Sequence, residues 1–217
     1  MGYPTGAISA AAIVAGMIAA SAWAVLTLPA GILVPIHFGF DGRPDAWARP
    51  LWSLSVLPAV GVAILVIFVA IARRANGGLA RSGTALATAM LALIVFFAAL
   101  HGVVIAFAFG HQLDVSRVIV LLTGLLFMVI GNVMGKVRPN HWVGIRTPWT
   151  LADDRVWDRT HRFGGWLFVT CGVLLAIAAT LAPGGSLLMG GMLTATAITM
   201  IVAVAKSYLI WREVRQS

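Results

Sequence analysis

Six apolar runs, each long enough to cross a hydrocarbon core of about 30 Å, leave this chain few folds to choose from. They fall at about 7–33, 52–72, 84–109, 118–135, 163–182 and 187–209, taking roughly 20 residues as one crossing. Lipid offers no partner to a backbone N–H or C=O, so each run is expected to be an α-helix that bonds its own backbone. The fourth run is the shortest and spans fully only if Gly131–Gly135 is helical. Sixty per cent of the 217 residues are hydrophobic and 10% are charged, with a mean hydropathy of +0.97, more than a soluble domain can bury. The expected fold is therefore an all-α polytopic membrane bundle with six transmembrane helices. Residues 1–83 form a two-helix N-terminal segment and residues 84–217 a four-helix segment of the same compact bundle. The first run is longer than a signal-peptide core and lacks a charged flank, so it reads as a retained span.

The formal net charge of +8 does not indicate nucleic-acid binding, because the cations lie between apolar runs rather than in one patch. Arg73, Arg74, Arg81, Lys136, Arg138, Arg146, Arg155, Arg159, Arg162, Lys206, Arg212 and Arg215 fall on one side. Only Arg43, Arg49 and Arg117 fall on the other. Cytoplasmic loops collect Lys and Arg, so both termini are expected inside, with the connectors near 34–51, 110–117 and 183–186 outside. The single cysteine, Cys171, excludes an intrachain disulfide and a cysteine metal cluster.

Small residues recur at helix-packing spacing: Gly16, Ala20 and Ala24; Gly131 and Gly135; Ser186 and Gly190; Gly191 and Ala195. In lipid, close backbone approach supplies packing energy that the hydrophobic effect does not. These faces serve the bundle itself or, as the lesser reading, a homodimer. No internal repeat is visible.

The outer island carries His37, Phe38, Phe40, Asp41, Asp45 and Trp47 around an Asp41-Gly42 turn signal. It reads as a turn anchored by aromatic groups, or as a ligand-binding surface built on His37, Phe38, Asp41, Asp45 and Trp47. His37, Asp41, Asp45, His111 and Asp114 are chemically adequate metal ligands, but no spacing fixes two of them on one helical turn. No metal or cofactor is expected. His101 is the one ionisable residue deep inside a run, about eight residues or roughly 12 Å from the outer end of its helix. It is either polar glue between helices or part of an intramembrane site.

The inner island runs from Lys136 to Arg162. Pro139, Gly144 and Pro148 make its first part a structured loop. Thr150 and Asp153 form a capping-box signature, from which a helix is expected to run through Arg162 into the fifth span. Asp154, Asp158 and His161 share one face of it and Arg155, Arg159 and Arg162 the next, a pattern typical of a solvated, ion-paired surface. Trp142, Trp149, Trp157 and Trp166 read as interface anchors, and the cations as contacts for membrane lipids, each contributing about 1 kcal/mol near an anionic surface.

From Gly131 to Gly165 the chain reads GN-x-x-GK-x-RPN, then GIRTPWTL, then W-x-x-THR-x-GG. This stretch resembles the signature of the SdpI family of bacterial integral-membrane immunity and signal-transduction proteins. The matching positions include Asn132, Lys136, Arg138, Pro139, Asn140, Gly144, Arg146, Thr147, Pro148, Trp149, Trp157, His161 and Arg162. The outer island resembles a small N-terminal membrane domain of unknown function that is often joined to this family. The resemblance implies a six-span protein of the bacterial cytoplasmic membrane that gives resistance to a secreted antimicrobial peptide toxin, without catalysis. It also implies signalling through a cytoplasmic repressor held at the inner island. The alternative is an intramembrane metal-dependent enzyme or small-solute transporter centred on His101 and the outer acids.

Overall fold

The computed structural model describes residues 3–216; the N-terminal Met1 and Gly2 and the final Ser217 lie outside the described residues. Six long helices form the bundle: α1 (Tyr3–Thr27), α2 (Pro50–Arg73), α4 (Gly83–Ala108), α5 (Val115–Met134), α7 (Asp154–Leu181) and α8 (Ser186–Gln216). Two short helices, α3 (Gly77–Arg81) and α6 (Pro148–Ala152), sit in connectors. All six long helices are long and apolar enough to cross a membrane.

Two departures from the expected boundaries have local causes. The first helix stops at Thr27 rather than near residue 33, because Pro29 follows and Gly31 turns the chain at φ +82°. The apolar residues after that turn enter a strand instead. β1 (Val34–Phe38) pairs antiparallel with β2 (Pro44–Ala48), so the outer island is a hairpin with two register irregularities, not a simple turn. The capping box also forms one turn early. Thr147 caps α6, with the Thr150 backbone N–H donating to its hydroxyl, and Pro148 occupies the first helical position. Asp153 then caps α7 separately through the Arg155 N–H at 2.7 Å.

Packing follows the small residues only in part. α1, α2 and α4 pack on one another, α5 packs on α7, α7 packs on α8, and α4 also meets α5. Gly124 and Gly172, and likewise Gly131 and Gly165, bring the α5 and α7 backbones into direct contact. The helical glycine pair at 131 and 135 is thus used inside the molecule: Gly131 lies against Gly165 and Gly135 near Arg162. A Cβ at Gly16 or Gly191 would meet nothing within 4 Å. Val120, Phe127, Phe168, Cys171 and Leu175 form the apolar core between α5, α7 and α8, and Val14, Met90 and Ile94 that between α1 and α4.

Candidate functional site

The connectors gather at two ends of the bundle. At one end the hairpin is held by its apolar root, where Val34 is fully buried with Leu54 and Ala108. The Ser53 hydroxyl also donates to Pro35 O at 2.5 Å. At its tip Gly42 adopts φ +79°, and the Asp41 carboxylate accepts the Arg43 N–H at 3.0 Å. A Cβ at Gly42 would stand 2.9 Å from the Ser116 nitrogen, so the tip lies directly on the start of α5.

Ser116 ties three connectors together. Its hydroxyl donates to Asp114 Oδ1 at 2.5 Å and accepts the Gly185 N–H at 2.7 Å. Asp114 caps α5 by accepting the Arg117 N–H at 3.1 Å, and it pairs with Arg117 Nε at 2.9 Å. Arg117 in turn donates to Ala179 O at the end of α7. The Ser116 hydroxyl, followed by the Arg117 amide and guanidinium, holds the Asp114 carboxyl below the usual carboxylate range. Between the hairpin tip and these connectors lies a cavity of about 430 Å³ lined by Asp41, Arg43, Gln112, Asp114 and Gly184.

Of the five residues read from the sequence as a ligand-binding surface, only Asp41 lines this cavity, together with Asp114 from the second outer connector. His37 Nδ1 and Asp45 Oδ1 pair at 2.6 Å on the exposed side of the hairpin. Phe38 packs edge-on against Phe107 with centroids 5.3 Å apart, and Trp47 stays half exposed. The five proposed metal ligands do not assemble, and no group of three His, Cys, Asp or Glu side chains stands ready for an ion among the described residues. Sequence reasoning did not point to Ser116; the available signal was Asp114 immediately before an apolar run, a helix N-cap pattern that places Ser116 in the first turn of α5.

The opposite, Arg-rich end is a clasp. Asn140 is buried and uses its whole amide: Oδ1 accepts the Trp142 and Val143 N–H groups at 2.8 Å, and Nδ2 donates to Arg138 O and Val143 O. Pro139 O presses against Gly78, and the Arg138 N–H donates to the Ser82 hydroxyl at 2.8 Å, joining the α2–α4 connector to this loop. Gly144 has φ +124° and lies against the His161 and Trp157 rings, so both its backbone and its lack of a side chain are required. Thr150 donates to Ile145 O at 2.8 Å, and Trp149 Nε1 donates to the Ser207 hydroxyl at 2.8 Å while its ring meets Tyr208 and Trp211.

Two sequence expectations change here. Trp157 is fully buried, with Nε1 donating to Val137 O at 2.8 Å, so it is a core residue of the clasp rather than an interface anchor. His161 is 1% exposed and stacks on Trp157, so the Asp154–Asp158–His161 face is not simply solvated. The Ile145 N–H donates to His161 Nε2 at 3.0 Å, which fixes the proton on Nδ1, where it is given to Trp157 O at 2.9 Å. Both ring nitrogens are thereby used in the neutral tautomer. Asn132, Lys136, Arg138, Arg146, Pro148 and Arg162 stay exposed; Arg138 lies 3.8 Å from Asp158, and Arg146 donates to His141 O.

Within the bundle, His101 is 2% exposed, and its Nε2 lies 2.9 Å from the Ser21 hydroxyl, which also reaches Leu54 O at 2.8 Å. This places one polar link among α1, α2 and α4.

Residues 136–208, the clasp together with α7 and most of α8, match the SdpI/YfhL protein family. The resemblance is to SdpI proteins. Residues 12–62, which contain the hairpin, match DUF1648, a domain of unknown function. The chain is 28% identical over 108 residues to Immunity protein SdpI of Bacillus subtilis (strain 168). That alignment covers 50% of this chain and 51% of the SdpI protein, so the chain spans about half the length of this curated relative. No solved structure matches the chain. The SdpI likeness and the six apolar helices together identify a multi-pass membrane protein.

Proposed function

We propose that this chain is an immunity protein of the bacterial cytoplasmic membrane that protects its cell against a secreted, membrane-active antimicrobial peptide by binding rather than catalysis. The observation that carries this reading is the alignment with Immunity protein SdpI, joined to a matching SdpI/YfhL segment. The charge distribution supports a hairpin facing outward and both termini facing inward.

In that orientation the hairpin is the receptor surface. It offers the half-exposed rings of Phe40 and Trp47 beside the carboxylates of Asp41 and Asp45. Exposed aromatics with acids complement an amphipathic cationic peptide arriving at the headgroup level. His101, bonded to Ser21 on a neighbouring helix, acts as polar glue in this reading. At the inner end, Lys136, Arg146 and Trp142 offer a surface for a cytoplasmic repressor.

The test is tolerance. Susceptible cells expressing the chain are expected to grow in secreted-peptide concentrations that stop control cells. Asp41→Ala and Trp47→Ala are each expected to lower that tolerance at unchanged membrane abundance. Wild-type expression that protects against no such peptide removes the immunity reading; full tolerance in both variants removes the hairpin as its receptor.

A further inference from the structure

We infer that α7 and α8 hold the phosphate of an anionic phospholipid at the Arg-rich end of the bundle. The two helices border a cavity of about 390 Å³ lined by Arg159, Arg162, Phe163, Trp166, Lys206 and Ile210. Its charge is unbalanced. Three cations, Arg159, Arg162 and Lys206, line it, and one carboxylate, Glu213, meets two of them: it accepts Arg159 Nη2 at 2.7 Å and stands 3.8 Å from Lys206 Nζ. Arg162 is exposed and has no hydrogen-bond or ion-pair partner among the described residues. It also borders a second cavity of about 280 Å³ between α5 and α7, beside Asn132 and Trp166. One free guanidinium therefore serves two adjoining recesses.

The chemistry suits a phosphodiester. A planar guanidinium binds two anionic oxygens at once, while the Lys206 ammonium adds a point charge. The surroundings favour a lipid over a dissolved anion. Trp166 is 73% exposed, as an indole at a headgroup boundary is. Deeper along the same helices, Val173 lies two turns beyond Trp166 and Val202 one turn before Lys206, and both are exposed apolar side chains. An acyl chain leaving the cavity in that direction stays on apolar surface.

Native mass spectrometry of the detergent-purified chain, with thermal unfolding in parallel, tests the site with phosphatidylglycerol, phosphatidylcholine and inorganic phosphate. Phosphatidylglycerol is expected to remain bound and to raise the melting temperature, and phosphatidylcholine is not. Arg162→Gln and Lys206→Gln are each expected to weaken phosphatidylglycerol binding about fivefold, the factor that roughly 1 kcal/mol per cation represents. Arg155→Gln is expected to bind as the wild type does, since Arg155 pairs with Asp153 and lines neither cavity. If Arg162→Gln does not fold, Lys206→Gln alone decides. Equal retention of both lipids, wild-type binding by the Gln variants, or the same stabilisation by inorganic phosphate alone overturns the proposal.

Discussion

Gly131 on α5 and Gly165 on α7 meet backbone to backbone: a Cβ on either would stand 2.6 Å from the carbonyl oxygen of the other. Helices in lipid gain their association energy from such close approach, so this contact sets the spacing of the helix pair that supports the clasp. Gly131→Val or Gly165→Val is expected to force the helices apart and cost about 1–3 kcal/mol, the usual range for overpacking. Gly16→Ala, which meets nothing, is expected to be neutral or mildly stabilising through helix propensity. Melting temperatures of the detergent-purified variants give the comparison.

The polar link within the bundle should behave as a pair. Ser21→Ala alone strands His101 Nε2, and His101→Leu alone takes one partner from the Ser21 hydroxyl. Each single change is expected to destabilise by about 1–3 kcal/mol, while the double variant loses less than their sum, because a polar pair replaced on both sides is nearly neutral. A double-mutant cycle on thermal stability is the measurement. Additive losses would deny the coupling.

Asp114 gives stability a pH dependence of known sign. Its folded pKa lies below the unfolded value, chiefly through the Ser116 hydroxyl, with Arg117 adding to the effect. Such a group contributes stability above its unfolded pKa, and that contribution fades as pH falls through the lowered folded value. Ser116→Ala is expected to raise the folded pKa towards the ordinary one, so acid-induced loss begins at higher pH. Melting temperature recorded against pH from neutral to strongly acidic conditions should show this displacement, and Asp114→Asn should abolish it.

Topology has a direct assay. With buried Cys171 replaced by Ser, a cysteine at position 45 is expected to react with an impermeant reagent added outside intact cells. One at position 153 is expected to react only after the membrane is opened. The opposite pattern would invert the orientation.

The six spans were legible because lipid imposes one solution on any long apolar run. The end of α1 is masked in the sequence because Ile32, Leu33 and Val34 are as apolar as the helix before them, and only Pro29 and Gly31 mark the break. The hairpin leaves little trace in the sequence because its strands are five residues long and each contains a proline. At the inner island two helix-start signals competed, and Thr147 followed by Pro148 prevailed over Thr150 with Asp153. Periodicity put His161 and Trp157 on a helix surface correctly. What covers them is a loop folded back through Gly144, a non-local event with no periodic signature. The outer cavity was invisible for a similar reason: it exists only where three connectors distant in sequence converge on Ser116.

The hairpin stretch and the clasp stretch each dock on a part of the chain that neither family match covers, at opposite ends of the bundle. Gly42 nests on Ser116 at one face, and Gly78 under Pro139 at the other. A hairpin stretch moved between relatives therefore has to bring its own glycine to the Ser116 seam, whereas a transplanted clasp has to find one waiting at position 78.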